Sequence, residues 1–174
     1  DHPSGTDRIA EAVRDRAADV VVNVQGDEPL IDPALIDRVA GTLLDAADWD
    51  MATAAAPIRS AEELHNSDVV KVVRARDGRA LYFSRSVIPH VRGAPAGHPP
   101  VPGEHFRHIG IYGYRRAFLE RLVQEPPCAL ENLEKLEQLR ALSIGCRMAV
   151  LDGEAFGIGV DSPADVPKAE ALLR

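Results

Sequence analysis

The chain has 174 residues, of which 45% are hydrophobic and 27% charged, and its formal net charge is −7. This composition predicts one globular domain over residues 1–174 and excludes disordered, collagen-like and disulfide-stapled chains. No apolar run is long enough for a membrane-spanning helix, and the acidic balance argues against a nucleic-acid partner while leaving room for a small anionic ligand. The two cysteines, Cys128 and Cys146, form no C-x-x-C pair, which predicts a cytoplasmic protein.

Helical and β-strand patterns alternate along the first half of the chain. Residues 6–17 repeat apolar side chains at helical spacing, and the β-branched run 19–24 predicts a buried strand. Asp32 and the proline after it start a second helix, and residues 51–56 predict the next strand. The alternation predicts an α/β fold with a mostly parallel sheet.

The second half adds an antiparallel hairpin and a proline-rich loop. Residues 69–74 and 79–83 flank an Asp-Gly turn, which is a strong hairpin signal, and residues 89–103 hold five prolines and three glycines. The remaining patterns predict, in order, a strand at 106–114, helices at 116–123 and 130–142, a strand at 147–151 and a last helix from Ser162.

Two glycine-containing turns each deliver an acidic residue just before a predicted helix. Asp27 follows Gln25 and a glycine beyond the strand 19–24, and Asp161 follows a Gly-x-Gly turn. Ligands of open α/β sheets bind beyond the carboxyl ends of the strands, where Mg²⁺ takes one or two carboxylates with phosphate oxygens. Both acids are candidate metal ligands, and each is also explained as a helix cap or exposed acid.

A helix N-terminus near the start of the chain is suited to a nucleotide. It brings together a hydroxyl, a flexible backbone, an acid and a guanidinium in Ser4, Gly5, Thr6, Asp7 and Arg8. Backbone N–H groups and the helix dipole favour anions there. An ordinary helix cap explains the same residues equally well.

Five further side chains are candidates for a polar ligand. Arg85 ends the hairpin and suits a carboxylate, although a surface arginine fits that position too. His108 and Tyr112 are an even number of residues apart and face one side of a strand, whereas a lone histidine is more often structural. Glu137 and Gln138 lie on an amphipathic helix, where they bind a polyhydroxylated ligand or form a solvated face.

Taken in order, these segments resemble the 3-deoxy-manno-octulosonate cytidylyltransferases of lipopolysaccharide biosynthesis. The segments that carry the resemblance are 2–8, 22–29, 81–89, 107–114, 133–140 and 159–163. It implies a Rossmann-like nucleotidyltransferase fold, usually dimeric, with no nucleic-acid or membrane partner. It also implies a reaction in which CTP and the sugar acid Kdo (3-deoxy-manno-octulosonate) give CMP-Kdo and pyrophosphate.

The resemblance also implies roles for the candidate residues. Asp27 and Asp161 would bind Mg²⁺ and, with Gln25, form the catalytic group, while residues 4–8 would approach the cytidine. Kdo would be surrounded by Gln25, Arg85, His108, Tyr112, Glu137 and Gln138, with Arg85 on its carboxylate.

The sequence departs from the family in two places. The family begins with a strand and a Gly/Arg/Lys-bearing loop that cradles the phosphates, and nothing here matches it. We therefore expect the chain to be the C-terminal part of the family's domain, lacking its first strands, and to turn over slowly by itself. His90 stands where an aromatic residue often follows Ile-Pro, which affects the flap and not the chemistry.

Two other functions remain open at this point. A CMP-sialic acid synthetase would share the fold and the metal acids, although segments 82–85 and 136–140 favour Kdo. A non-catalytic domain that binds a nucleotide, a sugar or a protein would explain the missing phosphate loop.

Overall fold

Helices and strands alternate along the computed structural model, which describes residues 5–26, 30–154, 167, 170 and 171. The helices are α1 Gly5–Ala12, α2 Pro33–Asp45, α3 Ala61–His65, α4 Arg116–Leu122, α5 Ala129–Glu134 and α6 Gln138–Ser143. The strands are β1 Val20–Val24, β2 Met51–Pro57, β3 Lys71–Arg74, β4 Ala80–Ser84, β5 Phe106–Arg115 and β6 Met148–Asp152. No helix in these ranges is both long and apolar enough to cross a membrane.

The long strand β5 organises the sheet. β2 pairs along one edge of β5, while β1 and β3 share the other edge, β1 against residues 111–115 and β3 against residues 106 and 107. β4 lies beyond β3, and β6 lies beyond β2 and runs parallel to it. The α/β class is confirmed, with β1, β2, β3 and β6 running in one direction. Besides the expected hairpin, β5 is a second reversed strand, so β2 and β6 form the one parallel pair among the described strands.

A bulge in β5 lies beside the point where β1 and β3 separate. Thr53 pairs with Tyr112 and the next residue of β2 pairs with Ile109, so β5 contains two additional residues, Gly110 and Ile111. The Thr53 hydroxyl donates to the carbonyl of Ile111 at 2.7 Å. Because two residues are inserted, the alternation of side chains along β5 is preserved across the bulge.

Each face of the sheet is covered by helices. α2 buries Leu35, Val39 and Leu43 against the small alanines of β2 and one face of β5. A Cβ on Gly113 would lie 2.7 Å from Cγ1 of Val39 and 2.9 Å from Cδ1 of Leu43, so this close approach requires glycine. On the other face, α4 and α6 pack on the aromatic side chains of β4 and β5, including Phe83.

The prediction of one continuous helix over residues 130–142 is wrong. The chain breaks at Lys135, which adopts a left-handed conformation with φ of 55°, and α5 and α6 are separate helices. Arg140 donates to both carboxylate oxygens of Glu131, at 2.9 and 2.6 Å. On a straight helix, residues nine positions apart are separated by about 13.5 Å along the axis and point to opposite sides. The break allows this ion pair to form.

Most of the other predicted elements are confirmed. α2 begins as expected, with Asp32 as N-cap and a proline in its first turn, and the hairpin turns at Gly78. α1 ends at Ala12 rather than at residue 17, and the short helix α3, which Ser60 caps, was not predicted. The last predicted helix, from Ser162, begins outside the described residues.

Candidate functional site

A polar cavity of about 420 Å³ lies where β1 and β3 diverge along the edge of β5, and we call it the fork cavity. Its lining comes from α1, β1, β2, the segments before β3 and after β4, β5, α4 and the α5–α6 break: Gly5, Thr6, Asn23, Gln25, Met51, Asp68, Val69, Val70, Arg85, Arg107, His108, Gly110, Tyr112, Tyr114, Leu122, Lys135, Leu136, Glu137 and Gln138. All six side chains predicted around the sugar acid are in this lining. The structure brings them together across more than one hundred residues of chain, and their roles towards a ligand stay predictions.

The structure brings two of the residues predicted to bind the nucleotide into the fork cavity, and it does not describe the two predicted to bind the metal. Gly5 and Thr6 line the fork cavity, and Thr6 is buried. Asp7 instead lines a separate groove between α1 and α4, and Arg8 is exposed. Ser4, Asp27 and Asp161 lie outside the described residues. Within the described ranges, no group of three His, Cys, Asp or Glu side chains could hold a metal ion.

The carboxyl end of β1 supplies two amides to the cavity. Gln25 was predicted from the turn that follows β1, whereas Asn23 was overlooked. Asn23 lies opposite Tyr112 in the β1–β5 pairing. The signal was present in the sequence, because residues two apart on a strand face the same side.

His108 is held in one tautomer by a chain of hydrogen bonds. Its Nε2 atom lies 2.8 Å from the Thr53 hydroxyl, whose own proton goes to the Ile111 carbonyl. Nε2 is therefore the donor, and Nδ1 carries a lone pair. Burial lowers the pKa of His108 to about 3, so the ring is neutral at physiological pH. The ring of Tyr112 lies 5.2 Å away, which confirms that the two side chains share a face.

Two tyrosines of β5 form the buried wall of the cavity. Burial raises the pKa of Tyr112 and of Tyr114 well above the usual value, so both phenols stay protonated. A protonated phenol can donate a hydrogen bond to a ligand oxygen or accept one from a hydroxyl.

Arg85 is fixed by main-chain groups on two sides. Its Nε donates to the Glu134 carbonyl at 2.8 Å, and its Nη1 donates to the Ser67 carbonyl at 3.1 Å. The Arg85 backbone N–H donates to the Glu134 carboxylate at 2.9 Å. In the part of the chain that the structure describes, no acceptor takes the Nη2 hydrogens. The guanidinium is thus oriented and keeps donors for a carboxylate.

The helix break places Glu137 and Gln138 in the cavity wall. Glu137 precedes the first turn of α6, and Gln138 is buried at its start. Arg140, one turn later, lies 3.5 Å from Oε1 of Glu137 while it holds Glu131. The arginine of the ion pair that joins α5 and α6 therefore also contacts Glu137 in the cavity wall.

Three charged residues of the lining were not predicted: Asp68, Arg107 and Lys135. Together with Arg85 and Glu137 they give the cavity three cations and two anions, an excess of one positive charge in a chain of net charge −7. Arg107 precedes His108 in β5, and its Nε lies 3.4 Å from a carboxylate oxygen of Glu63. No pattern in the sequence separates these three from ordinary surface charges.

The family of the chain follows from its similarity to known proteins. A cytidylyltransferase family model matches residues 1–150. The chain belongs to the cytidylyltransferase family. Within it, the chain is 50% identical to a 3-deoxy-manno-octulosonate cytidylyltransferase of Acidovorax sp. (strain JS42), in an alignment that covers 99% of this chain and 71% of the relative. It is 51% identical to the enzyme of that name from Aeromonas hydrophila, covering 99% and 70%.

A solved cytidylyltransferase has the same arrangement of elements. The structure of a CMP:2-keto-3-deoxy-manno-octonic acid synthetase complexed with CTP superposes with a TM-score of 0.89 at 39% identity. The match covers 99% of this chain and 69% of that one. Sequence and fold thus agree on the family that the motifs resembled.

Proposed function

We propose that this chain transfers the cytidylyl group of CTP to Kdo, giving CMP-Kdo and pyrophosphate, and that the fork cavity holds the sugar acid. The observation that carries the proposal is the convergence of Gln25, Arg85, His108, Tyr112, Glu137 and Gln138 on one cavity. Relatives that carry the name of this activity match nearly the whole chain.

The chemistry of the cavity suits a polyhydroxylated acid. Arg85 is oriented with free donors for the carboxylate, and arginine binds carboxylates through two parallel hydrogen bonds. Amides, a phenol, the Nδ1 lone pair of His108 and the Glu137 carboxylate offer both donors and acceptors to hydroxyl groups. A volume of about 420 Å³ lies within the range of small-molecule sites.

The chain contributes to the reaction mainly by binding and orientation. The anomeric hydroxyl of Kdo attacks the α-phosphorus of CTP and loses its proton to water, a new O–P bond forms, and the bond between the α-phosphorus and the bridging oxygen breaks as pyrophosphate leaves. Both reactants are anions, so holding them in line supplies much of the rate enhancement. Arg85 neutralises the sugar carboxylate, and neutral His108 adds no charge beside it.

We also propose that Asp27 and Asp161 hold Mg²⁺. When bound, the ion neutralises phosphate charge during transfer. Removal of divalent ions with a chelator should abolish turnover, and added Mg²⁺ should restore it. Turnover that persists in chelator would contradict the assignment.

Substitution of Arg85 tests the sugar site. Arg85→Lys removes the two-pronged contact, so the KM for Kdo should rise by roughly 10–100-fold, as expected for the loss of a hydrogen bond to a charged group. The KM for CTP should change by less than about two-fold. Pyrophosphate release is measured with Kdo and with N-acetylneuraminate, and Kdo should be the better substrate.

Arg121→Lys is the matched control for this substitution. Arg121 donates to the Ile144 carbonyl and does not line the fork cavity, so neither KM should change in that variant. An equal rise of both KM values in Arg85→Lys would show that Arg85 does not bind the sugar acid.

Further proposals concern the protein as a whole. We propose a homodimer, because β4 ends the described sheet and leaves a free edge for a second copy. Light scattering measures the assembly. We also propose that the protein is cytoplasmic and serves lipopolysaccharide biosynthesis, as the resemblance of its motifs implies.

A further inference from the structure

Lys71, on β3, is completely buried, although lysine is almost never fully buried unless its charge has partners. Its Nζ donates to three main-chain carbonyls, those of Asn66 at 2.8 Å, Val69 at 2.6 Å and Arg85 at 2.5 Å. An ammonium group has three N–H donors, so all of them are used. No donor remains for a ligand, and Lys71 is not in the lining of the fork cavity.

The three carbonyls belong to two segments that form walls of the cavity. One segment precedes β3 and presents Asp68, Val69 and Val70 to the cavity, and the other follows β4 and presents Arg85. Arg85 in turn donates through Nη1 to the Ser67 carbonyl in the first segment. The two walls are therefore tied together twice, by Lys71 behind them and by Arg85 between them.

Glu134 holds the same arginine from the opposite side. Its carboxylate accepts from the Ser84 hydroxyl at 2.7 Å and from the Arg85 backbone N–H at 2.9 Å. The backbone of Arg85 is thus held at its carbonyl by a buried cation and at its N–H by a carboxylate. This arrangement specifies the direction in which the guanidinium leaves the chain.

Stability alone does not account for a buried ammonium at this position. Taking a charge out of water is costly, and apolar replacements of buried charges often leave a protein equally stable. Three charge-assisted hydrogen bonds to carbonyls do specify the conformation of the main chain that they join. The functional value of Lys71 is the geometry that it imposes on the two walls.

We propose that Lys71 is a positioning residue for the sugar-acid site: it fixes the loop 66–70 and the backbone of Arg85 so that the guanidinium is preorganised for the Kdo carboxylate. The inference rests on the proposed function, in which the fork cavity holds Kdo. Lys71 acts through Arg85 and does not touch the substrate.

The test compares Lys71→Met with the wild type in the protein expressed from its entire reading frame. Methionine keeps most of the length of the unbranched side chain and removes its donors. The KM for Kdo should rise by roughly tenfold or more, as expected when a hydrogen bond to a charged group is misaligned, while the KM for CTP stays within about two-fold. Amide hydrogen exchange in residues 66–70 and at Arg85 should become faster.

Arg74→Met is the matched control, because it removes one cation from the same strand. Arg74 pairs with Asp152 at 2.7 Å and lies over the Phe106 ring at 4.2 Å, away from the cavity lining. This variant should lose thermal stability and keep the wild-type KM for Kdo. A merely structural role for Lys71 would give the same result in Lys71→Met, and that result would overturn the inference.

Two other outcomes are decisive. If the wild type releases no pyrophosphate from CTP with Kdo, the proposed function fails and the inference fails with it. If the wild type is active and both KM values rise equally in Lys71→Met, only the inference fails. Should Lys71→Met not fold, Lys71→Arg replaces it, because a planar fork cannot meet three carbonyls arranged around one point, and the KM for Kdo should again rise alone.

Discussion

Thr53 and His108 lie on neighbouring strands, and the threonine hydroxyl determines which ring nitrogen of the histidine carries the proton. The Thr53 oxygen is 2.8 Å from Nε2 of His108 and 2.7 Å from the Ile111 carbonyl. Since the carbonyl can only accept, the hydroxyl donates to it and accepts from Nε2–H. One buried hydroxyl thus stabilises the β5 bulge and turns the Nδ1 lone pair of His108 into the free acceptor of the ring.

Thr53→Val should weaken both the fold and the sugar site. Valine has nearly the same shape, but it leaves Nε2–H of His108 and the Ile111 carbonyl without their partner, which should lower the free energy of unfolding by about 1–3 kcal/mol. The KM for Kdo should rise, because the ring can now change tautomer. Urea unfolding and steady-state kinetics measure the two effects.

Thr42→Val is the control for this substitution. The Thr42 hydroxyl also donates to a carbonyl, that of Arg38 one turn earlier in α2, but at an exposed position. Its unfolding free energy should stay within about 0.5 kcal/mol of wild type, as for most surface substitutions. Equal losses in the two threonine variants would contradict a special role of Thr53.

His108 should make the stability of the protein depend on pH below neutrality. Burial lowers its pKa in the folded state from the ordinary 6.5 to about 3. Between these pH values His108 is protonated in the unfolded chain and neutral in the folded chain. Its contribution to the free energy of unfolding is therefore fully present above pH 6.5 and decreases as the pH falls towards 3. The contribution is at most about 1.4 kcal/mol per pH unit.

His108→Gln removes the titration of His108. A comparison of this variant with the wild type therefore separates the contribution of His108 to the pH dependence of stability from that of the other titratable groups. The unfolding free energy of the variant should fall less steeply than that of the wild type between pH 6.5 and pH 4. Denaturant titrations at a series of pH values give the difference curve. A difference that does not change with pH would mean that His108 takes up its proton as easily when folded as when unfolded.

The ion pair of Glu131 and Arg140 should contribute strongly to stability. The two side chains are 12% and 7% exposed, and hydrogen bonds to Glu131 raise the pKa of the arginine. Arg140→Leu leaves a buried carboxylate without its partner and should cost about 3–5 kcal/mol. Glu120→Gln, which breaks the exposed pair with Arg116, should cost no more than about 0.5 kcal/mol.

A double substitution separates the cost of an unpaired buried charge from the cost of altered packing. Glu131→Leu combined with Arg140→Leu removes both charges and should recover part of the stability lost in Arg140→Leu, because no unpaired carboxylate remains. The free energies of unfolding of the two single variants and the double variant form a thermodynamic cycle. Strict additivity of the two losses would show that the side chains do not interact.

Local patterns in the sequence predicted the elements that depend on nearest neighbours. β1 and β2 follow from β-branched or apolar runs, α2 from its aspartate cap and proline, and the hairpin from its Asp-Gly turn. The shared face of His108 and Tyr112 follows from strand alternation, which survives the bulge because two residues are inserted. Each of these features has a physical cause within a few residues of chain.

Other features depend on contacts between distant segments, for which the sequence has no signal. The Nζ atom of Lys71 donates to the carbonyls of residues 66, 69 and 85. Because every residue type has a main-chain carbonyl, the sequence does not show which carbonyls will surround a lysine. The break at Lys135 contains neither glycine nor proline, so helical periodicity alone predicted one helix. The ion pair of Glu131 and Arg140 forms only after the chain has turned there.

The left-handed conformation of Lys135 leads to a last prediction. A non-glycine residue at positive φ costs roughly 1–2 kcal/mol, whereas glycine adopts this conformation without steric penalty but loses about 0.5–1 kcal/mol more entropy on folding. With φ of 55° at the end of α5, Lys135→Gly should therefore raise the free energy of unfolding by up to about 1 kcal/mol. Urea unfolding of the variant and the wild type measures this difference.

Lys135→Ala supplies the comparison, because it removes the same side chain and keeps the Cβ. It should be no more stable than wild type, so the glycine variant should exceed it. Both variants remove one positive charge from the fork cavity while the break, and with it Glu137 and Gln138, stays in place. The KM for Kdo should consequently shift equally in the two. An alanine variant as stable as the glycine variant would show that the backbone at this break is not strained, and that contacts of α5 and α6 alone hold the chain in its turn.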